Sequence, residues 1–238
     1  MKAMNPEEAV GLANEVLLPL PTKWETKTFA FPIVPPRSSS SFSLKSFFDK
    51  TLALVGICIS SPLWLLIGAA IRLEDGEPIF YKQARVGKGG RIFYAVKFRT
   101  MHHDAEEGLG PVQALKNDPR VTRVGKILRK TALDELPQLW NILRGDMSFV
   151  GPRPLRPGEI LAGPHDEQVH LEDVPGFHER ITVTPGLTGL AQVYAARDIH
   201  HRHKFRYDLV YVKSHSFLLD LKLIVLSFWR TFTGRWEA

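Results

Sequence analysis

The longest apolar stretch in the chain runs from Thr51 to Ile71 without a charged residue. Its core, LALVGICISSPLWLLIGAAI, is long enough to cross a hydrocarbon layer of about 30 Å as a helix, which makes it a membrane element. Ser60, Ser61 and Pro62 interrupt it near the middle. Proline removes one backbone donor and clashes with the preceding turn, so a kink is favoured there, and a sharp bend turns a span into a re-entrant hairpin. Lys45 and Lys50 precede the run, and Arg72, Lys82 and Arg85 follow it. Basic residues on both sides give no sidedness, and two cytoplasmic ends satisfy the positive-inside tendency. A straight, proline-kinked crossing and a buried core helix are the alternatives.

A second apolar segment, FLLDLKLIVLSFW from Phe217 to Trp229, is too short to cross comfortably and carries Asp220 and Lys222. It reads either as an interfacial helix, with Trp229 and Trp236 at headgroup level, or as a core helix packed on the domain. Between the two apolar segments, Pro78 to Thr100 alternates around a glycine-containing turn at Lys88 to Gly90, the pattern of a β-hairpin. Lys97 and Arg99 then leave its second strand at the domain surface. Val121 to Lys130 has helical spacing, with Val124, Ile127 and Leu128 on one side. Residues 1–43 hold four basic and four acidic residues, many prolines and a serine run, which predicts a mostly extended or disordered tail. The tail lacks the order of a signal peptide, so secretion is not expected.

At 238 residues the chain suits one domain with extensions. A formal charge of +6 calls for an acidic partner: nucleic acid, anionic lipid or a phosphorylated substrate. The single cysteine, Cys58, rules out an intrachain disulfide and reads as a small buried apolar residue.

Candidate chemistry concentrates between Arg129 and Pro154, RKTALDELPQLWNILRGDMSFVGPRP, where adjacent carboxylates Asp134 and Glu135 lie between Arg129 and Lys130 on one side and Arg153 on the other. A carboxylate alone repels a phosphate; one flanked by cations can attack it or hold its metal ion. If Asp134 caps the following helix, Pro137 falls in the first turn, where a missing N–H costs little. If Thr131 is the cap and Asp134 completes a capping box, Pro137 sits deeper and bends the helix. Either way a positive helix end favours both ionised carboxylates by about 0.3 to 1 kcal/mol each. Acids at helix starts are common, so spacing alone leaves a structural role open. His200, His201 and His203 have no cysteine or acidic partners at ligand spacing, and His102 and His103 are no better placed, so both groups read as solvated or membrane-facing basic stretches.

The Arg129–Pro154 segment resembles the bacterial sugar transferases, the monotopic phosphoglycosyl transferases. The resemblance continues through Gly87, KFRTM (97–101), NDPRVTRVG (117–125) and PGLTGLAQV (185–193), in family order, over roughly residues 45 to 236. It implies an α+β, predominantly helical protein of the short form. Residues 44–73 become a re-entrant membrane helix broken at Ser61 and Pro62. Residues 74–238 become a compact cytoplasmic catalytic domain with a small hairpin and interfacial amphipathic helices. It further implies that Asp134 is the nucleophile and Glu135, with Asp134, the ligand of Mg2+. By the same resemblance Lys97, Arg129 and Arg153 are expected to hold phosphates. The substrates the resemblance implies are a UDP-sugar and polyprenyl (undecaprenyl) phosphate, met at the cytoplasmic face of a bacterial inner membrane in polysaccharide assembly. Membrane lipids are partners, nucleic acid is not, and a homodimer is left open.

Two further expectations attach to the PGLTG run and Gln192. The run forms a loop whose backbone approaches nucleotide or phosphates, and Gln192 hydrogen-bonds base or sugar. After Gln192 the chain reads VYAARDIHHRHKFRYD where many relatives have glycine-arginine-asparagine, which puts donor specificity in doubt. The competing readings are a UDP-releasing glycosyltransferase, although no Asp-X-Asp metal motif occurs, and a noncatalytic membrane-anchored module of an assembly complex.

Overall fold

Helix α1 runs unbroken from Ser39 to Asp75, about 55 Å at 1.5 Å per residue, in the computed structural model, which describes residues 39–103, 105, 118–158, 160–162, 168–195 and 201–233. The helix therefore begins inside the stretch expected to be extended, and the rest of that tail lies outside the described residues. The Ser60–Pro62 break is also helical. Pro62 has no N–H for the Cys58 carbonyl, and the Ser61 hydroxyl donates to that carbonyl instead, at 3.0 Å. Ser60 Oγ donates to the Gly56 carbonyl at 2.6 Å and accepts from Trp64 Nε1 at 2.9 Å. Hydroxyl substitution of this kind lets a proline persist in an apolar helix, where an unpaired carbonyl is expensive.

Residues Leu44 to Asp75 make this helix long and apolar enough to cross a membrane, and only 17% of its most apolar window is buried inside the protein, unlike the core helix of a soluble domain. A stripe with helical spacing, Asp49, Ala53, Ile67, Gly68 and Ile71, faces inward. Ile59, Leu65, Leu66 and Leu73 face outward, 68 to 88% exposed. Cys58, expected in the interior, lies on the outward side, because the long apolar run is packed along one stripe only. Both halves of α1 meet the same domain. Around Gly56 the first half lies close against Leu139, where an added Cβ would sit 3.2 Å from Leu139 Cδ1. Ile67 and Ile71 in the second half join Phe98 and Leu128 in one apolar cluster.

Strands β1 (Phe80–Val86) and β2 (Ile92–Phe98) form the expected antiparallel hairpin, with Phe80 opposite Phe98 and Val86 opposite Ile92. Gly89 and Gly90 turn the chain at φ 65° and 81°, where glycine avoids the Cβ penalty. Helix α2 (Arg123–Thr131) starts at Thr122, whose hydroxyl accepts from Gly125 N at 2.9 Å. Glu74 at the end of α1 accepts from the Arg123 and Val124 amides at 2.7 and 2.8 Å, a carboxylate on a positive helix end. Val124 and Leu128 pack toward α1. Ile127, expected beside them, is 63% exposed, since one residue along a helix turns the side chain by about 100°.

The remainder comprises α3 (Gln138–Arg144), β3 (Ser148–Val150), β4 (Ile160–Ala162), β5 (Gln168–His170), α4 (Phe177–Arg180), β6 (Gly186–Thr188), α5 (Leu190–Tyr194), α6 (His201–Ser214) and α7 (Phe217–Thr233). The fold is thus mostly helical, with three two-stranded pairs among the described residues: β1–β2, β4–β5 antiparallel, and β3–β6 parallel. Helix α7 turns Asp220 inward, 4% exposed, and leaves Leu218, Val225, Phe228 and Trp229 about 60% exposed. Asp220 meets Lys45 of α1, and Tyr211 of α6 lies 2.8 Å from Asp220 and 3.0 Å from the Val150 carbonyl. Lys45 Nζ also reaches that carbonyl at 3.2 Å, and Ser148 donates to Asp49 at 2.7 Å. Buried polar groups from α1, α6 and α7 therefore converge on β3.

The glycines of the PGLTG run serve this strand pairing. A Cβ on Gly186 would lie 2.0 Å from the Gly151 nitrogen, and one on Gly151 would lie 2.3 Å from the Thr184 carbonyl oxygen. Backbone cannot yield as a flexible side chain does, so Gly186→Ala is expected to destabilise the protein by at least about 2 kcal/mol, measured by chemical denaturation in detergent. Wild-type stability in this variant would show that β3 and β6 can part without loss.

Candidate active site

Asp134 and Glu135 lie in a single 3₁₀ turn, Leu133–Glu135, between α2 and α3. Neither expected cap forms. Thr131 turns back to the Ile127 and Leu128 carbonyls at 2.8 and 3.2 Å, Asp134 makes no capping bond, and Pro137 occupies the N-cap of α3. The chain reverses instead through Ala132, in the left-handed region at φ 55°. A non-glycine residue there costs on the order of 1 kcal/mol, so the surrounding packing enforces the turn.

Lys97 is delivered by β2. The side-chain amide of Asn141, on α3, hydrogen-bonds the β2 backbone on both sides of Ala95, accepting from Val96 N at 3.0 Å and donating to the Tyr94 carbonyl at 2.8 Å. Strand and helix are thereby locked one residue away from Lys97, whose ammonium group bonds Glu135 Oε1 and lies 3.9 Å from Asp134 Oδ2. Arg153 reaches the same Glu135 oxygen at 3.2 Å from the loop after β3. Arg129 anchors its Nε on the Thr100 hydroxyl at 2.8 Å, and its charge acts on Asp134. The structure thus brings Asp134, Glu135, Lys97 and Arg153 together, with Arg129 near enough to act on the aspartate.

The two neighbouring carboxylates are driven apart. Burial pushes Asp134 up to about 6, and the negative charge of Glu135 adds to the rise, against the pull of Lys97, Arg129 and Arg153. Burial acts on Glu135 in the same sense, but the charges and hydrogen bonds of Lys97 and Arg153 outweigh it and hold the carboxyl at about 2. The expectation that a helix end favours both ionised forms therefore fails for Asp134, because burial exceeds any helix-end effect. One carboxylate stays ionised at any physiological pH, and its neighbour is a base only moderately above its protonation point.

Other sequence expectations find different places. Gln192, on α5, shares no hydrogen bond or ion pair with the dyad; both polar atoms of its amide are buried without a hydrogen-bond partner among the described residues, as is Thr188 Oγ1 nearby in the chain. Arg99, expected at the surface, is 6% exposed and donates to the carbonyls of Asp75, Gly76 and Glu77 at 2.9, 2.7 and 3.2 Å. It satisfies the open C-terminal end of α1. His102 Nδ1 meets Asp75 at 2.6 Å, while His200 and the side chains of His201 and His203 lie outside what is described. Sequence reasoning missed Asn141; the one signal was a polar amide inside the apolar LWNIL run.

Residues 40–234 match the bacterial sugar transferase family. The chain is 40% identical over 189 residues to the UDP-glucose:undecaprenyl-phosphate glucose-1-phosphate transferase of Xanthomonas campestris pv. campestris, covering 77% of this chain and 37% of that relative. It is 39% identical over 186 residues to exopolysaccharide production protein PSS of Rhizobium leguminosarum bv. phaseoli, covering 76% of this chain and 91% of the relative. It is also 39% identical over 194 residues to the UDP-N-acetylgalactosamine-undecaprenyl-phosphate N-acetylgalactosaminephosphotransferase of Aeromonas hydrophila, covering 80% of this chain and 44% of the relative. The chain thus spans less than half the length of the Xanthomonas and Aeromonas proteins and most of the Rhizobium one.

The opposed titrations have opposite consequences for stability. A carboxyl raised from 3.8 to about 6 loses folding stability as pH rises between those values, so Asp134→Asn is expected to stabilise the protein above pH 6, by about 1 to 2 kcal/mol, with the gain gone below pH 4. A carboxyl lowered from 4.5 to about 2 contributes stability that is present above 4.5 and lost as pH falls through 2. Glu135→Gln is therefore expected to destabilise by a similar amount at pH 7.5. Denaturation of both variants at pH 4.5 and 7.5 checks the pair of signs.

Proposed function

The chain belongs to the bacterial sugar transferase family, and from that premise we propose that it moves a sugar-1-phosphate from a UDP-sugar to polyprenyl phosphate through a covalent intermediate on Asp134. The observation that supports this most is the pairing of a buried carboxylate titrating near 6 with a neighbour held ionised by Lys97 and Arg153. The Xanthomonas and Aeromonas relatives are named for undecaprenyl-phosphate sugar-phosphate transfer, and the reading extends that chemistry to this chain.

In the first step an Asp134 oxygen attacks the β-phosphorus of the UDP-sugar, the bond from that phosphorus to the bridging oxygen breaks, and UMP leaves with the electron pair. In the second, a phosphate oxygen of the polyprenyl phosphate attacks the same phosphorus and displaces Asp134 as a free carboxylate, giving polyprenyl diphosphosugar. Lys97, Arg129 and Arg153 offset the charge of the approaching phosphates, Arg as a planar fork and Lys as a point charge. Gln192, whose buried amide has no hydrogen-bond partner among the described residues, is kept in this reading as the contact to base or sugar once the donor is bound.

A magnesium ion fits the donor set. Glu135 Oε1 is taken by Lys97 and Arg153, whereas Glu135 Oε2 and Asp134 Oδ1 meet no protein donor among the described residues. Mg2+ is commonly held by one or two carboxylates together with substrate phosphates. Glu135 is its principal ligand in this reading, with Asp134 beside it, and the ion would neutralise phosphate charge during transfer.

The ties of α1 to the rest of the protein support a re-entrant membrane arrangement. Its first half is tied to α7 and β3 through Lys45 and Asp49, and its last residues to β2 and α2 through Asp75 and Glu74. Two ends fixed to one domain belong on one side of a bilayer, which supports reading α1 as a re-entrant element entered and left from the cytoplasmic face, with the helical Ser61–Pro62 segment at its deepest point. Cysteines placed at Phe47 and Leu73 in a Cys58→Ala background are expected to react together with an impermeant thiol reagent in inside-out vesicles and to stay unlabelled in sealed cells. Labelling from opposite faces would establish a crossing helix.

The deciding experiment follows nucleotide release from the full chain in lipid with Mg2+, undecaprenyl phosphate and a panel of UDP-sugars. UMP is expected; UDP would indicate plain glycosyl transfer, and silence a noncatalytic module. With a responsive donor, Asp134→Asn is expected to lose turnover and the covalent intermediate. The wild-type rate should fall about tenfold per pH unit below about 6.

A further inference from the structure

The loop Gly151–Pro152–Arg153–Pro154 carries a cation to Glu135 on an exposed side chain, with Arg153 51% exposed. A long exposed side chain is located by its backbone, so what holds the Arg153 main chain decides where the charge stands. One guanidinium group bonds it directly and a second bonds the next residue. Arg180 Nη2 donates to the Arg153 carbonyl at 2.8 Å, and Arg85 Nη1 donates to the Pro154 carbonyl at 3.1 Å.

Arg180 is built into place for this contact. At the end of α4 it is 5% exposed, its guanidinium lies 4.4 Å over the Phe205 ring, and its Nε and Nη2 bond Asp208 Oδ2 at 3.1 and 2.8 Å. Asp208, on α6, is 3% exposed. A pair this deeply buried is a poor stabiliser against an apolar substitute, because desolvating two charges offsets their attraction. Its use must be sought in what it orients. Only a planar fork can bond Asp208 on two nitrogens and still present an N–H to a carbonyl on another loop.

We propose that Arg180, oriented by Asp208 and Phe205, is a positioning residue for Arg153, and through it for the sugar-nucleotide phosphates at the dyad. The chain of contact runs Asp208, Arg180, Arg153 carbonyl, Arg153 side chain, Glu135. It rests on the phosphosugar-transfer reading for the identity of the ligand, while the contacts themselves stand without it.

The double variant Arg180→Met/Asp208→Leu replaces the pair by apolar side chains of similar size. It is to be compared with wild type, Arg153→Ala and the triple combination, as full chains in lipid with Mg2+, undecaprenyl phosphate and the responsive UDP-sugar. The double variant is expected to keep its thermal midpoint within a few degrees yet lose on the order of tenfold in kcat/KM, mostly through a higher KM for the UDP-sugar. In the Arg153→Ala background the same double substitution is expected to add nothing further, the signature of action through Arg153.

An unchanged KM for the UDP-sugar in a folded double variant, or losses that simply add to those of Arg153→Ala, would overturn the proposal. If the double variant fails to fold, Arg180→Lys decides by the same readouts, since it keeps the charge beside Asp208 but not the fork. Release of UDP instead of UMP by wild type would overturn the phosphosugar reading and leave the test of Arg180 on UDP-sugar KM intact.

Discussion

The site depends on a single carboxylate oxygen, Glu135 Oε1, shared by Lys97 and Arg153. Two adjacent acids inside a protein repel each other and lose hydration together, and without compensation one of them takes up a proton. Placing both cations on Glu135 settles which one. Glu135 stays ionised at about 2, while Asp134, facing burial and its neighbour's charge, rises to about 6. The asymmetry does not come from the residues themselves, since free aspartate is the stronger acid. It comes from which of the two can be reached by a lysine on β2 and an arginine after β3.

Reaching that oxygen requires three segments distant in the chain to be held in register, and the holding is done with buried polar groups. Asn141 locks β2 to α3 beside Lys97. On the other side, Lys45 and Tyr211 bind the Val150 carbonyl and Arg180 binds that of Arg153. Buried polar networks specify position more sharply than apolar contact, because a half-made network is worse than none. The long apolar helix takes part directly. Lys45 near its start secures β3, and Glu74 near its end caps α2, so the helix of membrane-spanning length also braces the elements that flank the dyad.

Sequence reading succeeded where a feature is periodic or continuous. The uncharged run from Thr51 to Ile71 is a helix, the alternation around Lys88–Gly90 is a hairpin, and the phosphate-suited residues around Asp134 form one cluster. It failed at Arg99, Cys58, Ile127 and the caps of the dyad turn. In each case the outcome depends on which side of an element another element covers. Arg99 looks like any strand-end cation until the end of α1 is found beside it. Cys58 looks like a core thiol until the helix proves to be packed along one stripe. Nor does the PGLTG run, read from the sequence as a ligand-binding loop, reveal that the Gly151 backbone just after β3 leaves no room for a Cβ at Gly186.

By itself, then, the sequence determined the local geometry and the inventory: a membrane-length apolar helix, a hairpin, helices of stated period, an adjacent pair of carboxylates, and enough ordered motifs to identify the family. These follow from short-range sterics and from patterns that repeat within one element. Tertiary structure alone decided that α1 lies against one domain at both ends, that Glu135 receives the cations while Asp134 is left to burial, and that Arg180 reaches the Arg153 carbonyl. Electrostatic energy and desolvation depend on distances between residues far apart in the chain, and those distances exist only once the elements have packed.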